Sequence, residues 1–475
     1  MFNNSNKNNT TNFSKGLITQ QRDRKYFDLE TTGLEEACQI LEYAECNVKI
    51  SGHNYYKEIL AKPDIFALIT PGALKTTGKN FNSIFKNNFS HESQYSLAEI
   101  INSIWSITSY TNIIAHNGKY FDIPRLRSLL KKNLFNPFVD ATNHNLIMDT
   151  RDAIAFINHI NPSFKITSFK NKLCTTKLED IFCLNVDPTA KQSHKALDDV
   201  MNTEILHSLM LKDERFKKAE NYYSTPYKNN QEYVLNNNSA FYIKKIYKMG
   251  NLSLFGIPLQ KHKHWSNFYL YLSFDIKDLK RLSFQNLDKY IKKDKIRHLK
   301  LNQLNYIIHS NTGLWQKEFN KIDQSFLSEL KNKIIQHPKT TEYLNDYYNE
   351  INKTKDNNIQ VCSDILDMRV YKFMTYEDKI IASKFHRALP DEKIKLAESF
   401  EHSEYKELAY TILFNNFRGQ LSSNLYEELL EKEYTKNLEN KCDCRPKFND
   451  VIEDCKKIAL EEPKLKEDME NYKTF

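Results

Sequence analysis

The sequence predicts a mixed α/β domain, then a β-rich stretch, then an all-helical C-terminal region. Three observations predict it. Up to Leu211, short apolar runs of strand character alternate with helical periodicities. Between Phe241 and His309 the apolar runs are divided by short turns. From Asn320 onward almost every segment has helical spacing. At 475 residues the chain exceeds one ordinary core, so it should divide into two or three domains. The expected divisions are a disordered tail over 1–21 and domains over 22–212, 213–355 and 356–475.

The elements follow in order. Met1 to Thr11 is rich in Asn, Ser and Thr and lacks an apolar core, so it does not read as a secretory signal. Strands are expected at Tyr26–Thr31, Ile40–Asn47, Tyr55–Ala61, Asn112–His116 and Leu146–Asp149. Helices are expected at Leu97–Ile107, Pro124–Leu130, Ile166–Leu173 and Lys195–Met210. In the last of these, Ala196, Val200, Thr203, Leu206 and Met210 form one stripe, with Asp198 and Asp199 near the helix start. The polar stretch Lys217 to Ser239 reads as a linker. Further strands are expected at Phe241–Met249, Leu252–Leu259, Phe268–Phe274, Arg297–Leu301 and Tyr306–His309, the first turning at Gly250-Asn251. Thr375-Tyr376-Glu377-Asp378 has the form of a helix start, and Pro390-Asp391 and Pro463 punctuate later helices.

Composition narrows the function classes. An apolar share of 40% and an aromatic share of 12% suffice for packed cores and argue against global disorder. The net charge of +8 favours a polyanionic partner only weakly. No apolar run reaches the roughly eighteen residues of a membrane span. The eight cysteines are scattered, so free thiols in a cytoplasmic protein are the default reading. Cys442, Cys444 and Cys455 lack the second C-x-x-C pair and the His that a zinc site wants.

The chemistry starts in the first strand, Tyr26-Phe27-Asp28-Leu29-Glu30-Thr31-Thr32-Gly33. Strand side chains have period two, so Phe27 and Leu29 take one face, Asp28 and Glu30 the other. Two carboxylates that close, away from water, need a cation between them. Two further acids occur downstream. Asp122 ends His116-Asn117-Gly118-Lys119-Tyr120-Phe121-Asp122 and opens a helix. Asp199 follows His194 by five positions, with His194 ahead of the helix on a loop. Taken singly, each has a bland reading: a surface pair, an N-cap, an exposed turn. Taken together, four carboxylates and one imidazole fit phosphodiester hydrolysis with two divalent cations. Asp28, Glu30, Asp122 and Asp199 would hold two Mg²⁺ or Mn²⁺ ions, since carboxylates select hard cations. A neutral His194 can take the proton of the attacking water at physiological pH. Leu29 and Thr31, beside Glu30, are candidates to touch the terminal base or sugar.

These three segments resemble the DEDDh exonuclease superfamily, whose pattern is D-x-E, a downstream Asp and a final H-x4-D. The longer resemblance is to bacterial exodeoxyribonuclease I and covers most of the chain. Leu68-Ile69-Thr70-Pro71 with Gly78, Ile114 to Asp122, and Pro162 to Phe169 resemble that family's segments, with Lys165 where the family has Arg. The first motif departs from the family's usual Asp-Tyr-Glu-Thr-Phe-Gly. Leu413 to Gln420 is a thinned form of a more basic stretch.

The resemblance implies an α/β RNase H-like exonuclease domain with a mixed sheet, an SH3-like β domain and an all-α C-terminal domain. It further implies 3′→5′ hydrolysis of single-stranded DNA to 5′-mononucleotides in DNA repair, and substrate contact at Glu30 and Lys165. A monomer that meets the acidic C-terminal tail of single-stranded DNA-binding protein would follow as well. The basic and aromatic residues of the middle region would line a groove for the strand. They are Lys244, Lys245, Lys248, Lys261, Lys263, Trp265, Lys292, Lys293, Lys295 and Arg297, with Tyr242, Tyr247 and Phe268. Two alternatives stay open: a DEDDh ribonuclease or proofreading enzyme, and a nucleic-acid-binding protein without catalysis.

Overall fold

The computed structural model describes residues 22–461 except 53, 80–83, 85–90, 169–172, 191–192, 225–234, 236–240, 248–249, 265–267, 276–277, 279–280, 301–307, 310–322, 362–370, 439–443 and 445. The expected tail over 1–21 lies outside them. The first sheet comprises β1 (Asp23–Thr31), β2 (Ile40–Val48), β3 (Asn54–Leu60), β4 (Thr111–Ala115) and β5 (Leu146–Asp149), ordered β3-β2-β1-β4-β5. β1, β2 and β3 pair antiparallel, whereas β4 runs parallel to β1 and to β5. That mixture follows from the connections. Short loops join the first three strands, and helices cross over before β4 and β5. All five strands stand where the alternation of the sequence puts them.

The helices of this region are α1 (Pro71–Thr77), α2 (Gln94–Ile107), α3 (Asp122–Lys132), α4 (Thr150–Ile160), α5 (Leu178–Asn185), α6 (Ala196–Met210) and α7 (Glu214–Ser224). One expected helix is not found among the described residues. Of Ile166–Leu173, the described Ile166, Thr167, Ser168 and Leu173 are not helical, with Thr167 bridged to Cys174 and Thr175 N donating to Ile166 O at 2.8 Å. The reason is visible in the burial. Phe164, Ile166 and Ser168 are buried while Lys165 and Thr167 are exposed, a period of two rather than of 3.6.

Each face of the sheet carries its own core. Phe27, Leu29, Ile113 and Ile147 pack under Leu97, Ile101 and Trp105 of α2 and Leu126 and Leu130 of α3. On the opposite face, Tyr26, Ile114 and Met148 meet Ile154 and Ile157 of α4 and Val200, Leu206 and Met210 of α6. Phe216 of α7 joins that core beside Phe156, so packing continues past the expected division at 212.

A second sheet follows, of β6 (Phe241–Tyr247), β7 (Gly250–Lys261), β8 (Phe268–Asp275), β9 (Ile296–Lys300) and β10 (Ile308–His309). It is antiparallel throughout and ordered β10-β6-β7-β8-β9. Gly250 and Asn251, expected at the first turn, are instead paired residues of β7, opposite Tyr247 and Ile246. Phe255, Ile257, Tyr271 and Phe274 extend the same apolar core that lies over β1.

The remainder is helical: α8 (Gln324–Gln336), α9 (Pro338–Val361), α10 (Tyr376–Arg387), α11 (Pro390–Glu398), α12 (Ser403–Asn416), α13 (Ser423–Leu438) and α14 (Phe448–Glu461). The division expected at 355/356 falls inside α9, which holds no Pro or Gly beyond its first residue to end it early. Thr375 caps α10 by accepting from Asp378 N, and Pro390 opens α11. Phe385, Leu408 and Ile412 close on Tyr95 and Leu134, and Val451 and Cys455 on Leu41, Ile69 and Leu74. The C-terminal helices therefore pack back onto the first sheet's domain. Cys444 and Cys455 are buried, and Cys442 lies outside the described residues. No described helix is long and apolar enough to cross a membrane.

Candidate active site

In the β1/β2 ladder Asp28 stands opposite Ala44 and Glu30 opposite Glu42. The period-two argument holds, since Phe27 and Leu29 point into the α2/α3 core. The two acids rise from the other face, where α6 crosses. Ala196 and Val200 of α6 are buried against the sheet, which places Asp199 over the acids. One carboxylate oxygen from each of Asp28, Glu30 and Asp199 lies within 4.8 Å of the others. Asp122 stands just outside that group as the first residue of α3, where its Oδ1 accepts the Leu29 N–H at 3.1 Å.

These charges act on one another. Burial holds the Asp28 carboxyl well above the usual carboxylate range, with Asp122, Asp199, Glu30 and Glu42 adding to the effect. Burial likewise raises Glu30 to about 8, helped by Asp199 and Glu42. Asp122 is raised to about 7, again by burial, against the pull of Arg125 and the Leu29 N–H. Acids this reluctant to ionise are a site short of positive charge. The donor set is all carboxylate oxygen, which fits a hard divalent cation and not a thiophilic one.

Several positioning groups have no local signature. Asp149, fully buried at the end of β5, accepts from Asn117 N at 2.9 Å and Lys119 N at 3.2 Å and caps α4 through Arg151 N. It thereby holds the loop that delivers Asp122. Gly118 in that loop has no room for a side chain. A Cβ there would lie 2.3 Å from Ala115 Cβ and 3.2 Å from Asp122 Oδ2. Gly118→Ala should therefore displace Asp122 and lower turnover by about a hundredfold. Circular dichroism should show the fold kept, and a variant turning over at the parent rate would contradict this account. Glu42 of β2 stands across from Glu30, and the sequence does not single it out, because β2 carries a second acid, Glu45.

The remaining sequence-derived residues divide. His194 is half-buried with φ +51°, two residues before α6, and is not drawn into the acid group. Lys165 is exposed, its backbone N–H tied to Asn185. The side chains of Leu29 and Thr31 are both buried. Leu29 is buried in the core by the same period that exposes Glu30, and Thr31 is buried with its hydroxyl donating to Gly33 O. Thr70, of the Ile-Thr-Pro segment, caps α1 and donates its N–H to Thr32 O at 2.7 Å, bracing the first motif.

In the middle region Lys261, Lys263, Lys292 and Arg297 are exposed. Lys293 pairs with Glu350 and Lys295 with Asp278, so those two are partly neutralised. Phe268 packs edge-on to His298. The side chains of Lys244, Lys245, Lys248, Tyr242, Tyr247 and Trp265 lie outside the described residues.

No protein-family model matches the sequence, and no characterised protein matches it by sequence. Solved structures do match. Exonuclease I of E. coli in complex with a dT13 oligonucleotide aligns with a TM-score of 0.73 at 17% identity, over 96% of this chain and 98% of that one. A moderately thermophilic exonuclease I from Methylocaldum szegediense aligns at 0.73 and 16% identity, over 95% and 99%. The chain has the exonuclease I fold. A product-bound exonuclease I also aligns, at 0.72 and 15% identity over 96% and 98%. Because both chains are covered nearly end to end, the likeness takes in the second sheet and the helical region as well as the acid-bearing sheet.

Proposed function

We propose that this chain is a 3′→5′ exonuclease of single-stranded DNA that releases 5′-mononucleotides. The observation that carries the reading is the convergence of Asp28, Glu30 and Asp199, from segments far apart in sequence, within 4.8 Å on the sheet face beside Asp122. The E. coli neighbour is bound to a dT13 oligonucleotide, and the whole-length likeness to it supports the substrate class.

Asp28, Glu30, Asp122 and Asp199 would hold two divalent cations, Mg²⁺ in the first instance and Mn²⁺ as a substitute. Such ions supply Lewis acidity at the scissile phosphate and make water acidic enough to attack at neutral pH. His194 takes the proton of the attacking water, and its place on a loop beside α6 lets it approach once a strand is bound. Asp149 and Gly118 keep Asp122 in place. In this reading the second sheet is an SH3-like domain and the C-terminal helices a separate all-α domain, both closing on the strand. Lys261, Lys263, Lys292, Arg297 and Lys165 supply phosphate contacts. We further propose that the protein acts as a cytoplasmic monomer in DNA repair and meets the acidic tail of single-stranded DNA-binding protein.

A timed digest of 5′-labelled single-stranded DNA, duplex DNA and RNA with Mg²⁺ tests the reading. Single-stranded DNA should shorten progressively from its unlabelled end while duplex and RNA persist. Preferential loss of RNA would move the chain to the ribonucleases, and binding without cleavage would end the enzyme assignment. The initial rate with dilute enzyme should fall about tenfold or more between about 50 and 200 mM salt, from counterion release. A salt-insensitive rate would count against the basic groove.

A further inference from the structure

We propose that Glu42 is a positioning residue: it anchors the first turn of α6, and with it the His194 segment, to the catalytic sheet. The inference rests on the exonuclease reading above. Glu42 lies on β2 directly across from Glu30, so its side chain rises from the same sheet face as the acids. It is 4% exposed. Its two oxygens are taken by the protein, which sets it apart from a ligand. Oε2 accepts the Ala196 N–H at 3.1 Å, and Oε1 pairs with Lys79 Nζ.

Ala196 is the first residue of α6, and Lys195 at the N-cap makes no side-chain cap. A helix start leaves backbone N–H groups without intrahelical partners, and a neighbouring Ser, Thr, Asp or Asn ordinarily takes one. Here a carboxylate 154 residues earlier in the chain takes it. That carboxylate also faces the positive end of the helix dipole. The bond falls between the two groups that the chemistry needs from this segment. His194 is two residues before Ala196 in the left-handed region at φ +51°, and Asp199 is three residues after it. Fixing Ala196 to the strand that flanks Glu30 therefore fixes both relative to Glu30. Lys79 offsets the charge of a third carboxylate on a face already crowded with them.

The test compares Glu42→Ala, Glu42→Gln and Ala196→Pro. The Gln variant keeps an acceptor oxygen. Pro at the first helical position is tolerated and follows an extended Lys195, yet it removes the N–H. Glu42→Ala and Ala196→Pro should each lower kcat on single-stranded DNA by about tenfold or more with KM within about twofold. In both, amide hydrogen exchange of the peptide spanning 194–200 should rise about tenfold while the rest of the first sheet keeps its protection. Glu42→Gln should retain protection and a kcat within about threefold of the parent. Equal loss in the Gln and Ala variants, or exchange rising uniformly across the sheet, would overturn the anchor. An active parent whose α6 exchange ignores all three changes would overturn it too. A parent inactive on single-stranded DNA would instead overturn the exonuclease reading, and with it any catalytic purpose for the anchor.

Discussion

Asp28→Asn lowers the single-turnover rate on single-stranded DNA by about four orders of magnitude and leaves binding of the strand nearly unchanged. Asn matches Asp in shape, so the β1/β2 register and the packing of Phe27 and Leu29 persist. What it lacks is charge. Asp28 sits at the centre of the acids, and the charges of Asp122, Asp199, Glu30 and Glu42 all bear on it. Removing that anion leaves too little negative charge to hold the two divalent cations proposed for this site. The groups proposed to grip the strand lie elsewhere, at Lys165 and on the second sheet and its flanking loops. The same substitution relieves repulsion, so above pH 8 the metal-free variant should melt at a higher temperature than the parent. Rapid-quench assays, strand binding by fluorescence anisotropy and thermal melts in EDTA check the three parts. A variant keeping a tenth of the parent rate would refute the role of Asp28.

Raising the pH from 5 to 9 destabilises the metal-free protein, and Mg²⁺ restores the loss. Glu30 is raised to about 8, Asp122 to about 7 and Asp149 to about 6 in the folded chain. Carboxyls of an unfolded chain titrate near 4. Across the interval between, the folded state holds protons that the unfolded state has released, so stability falls as pH rises. The contribution is complete below about pH 4 and is lost as pH passes through 6 to 8. Cations bind the deprotonated acids, so their stabilising effect runs the opposite way with pH. Saturating MgCl₂ should raise the melting temperature by about 5 °C or more at pH 9 and by little at pH 5. Glu30→Gln should flatten the slope in EDTA. A metal-free melting temperature that is level or rises between pH 5 and 9 would contradict the electrostatics given for this site.

The acids were legible because each stands where local pattern already speaks. Asp28 and Glu30 interrupt an alternating strand, Asp122 opens a helix after a strand, and Asp199 lies on the first turn of a helix whose stripe from Ala196 to Met210 is buried. Period two reaches further. The spacing that turns Glu30 toward the site turns the Leu29 side chain into the core. The segment from Ile166 misled because its apolar residues suit either period over so short a run, and the pairing of Thr167 with Cys174 settled it. Glu42, Lys79 and Asp149 had no signature at all. An acid in a strand reads as surface until its partners are known, and one partner of Glu42 is a backbone N–H far along the chain.

Local spacing along this chain already sets the five strands of the first sheet, the face on which its acids stand and the need for a cation. Folding alone sets which acids come within 4.8 Å, that Asp122 is tied to Leu29 N, and that α6 is seated by Glu42. The physical reason is the range of the forces. Alternation and helix starts are decided by neighbours a few residues apart, whereas charge repulsion and buried hydrogen bonds act between segments that meet only in the packed chain.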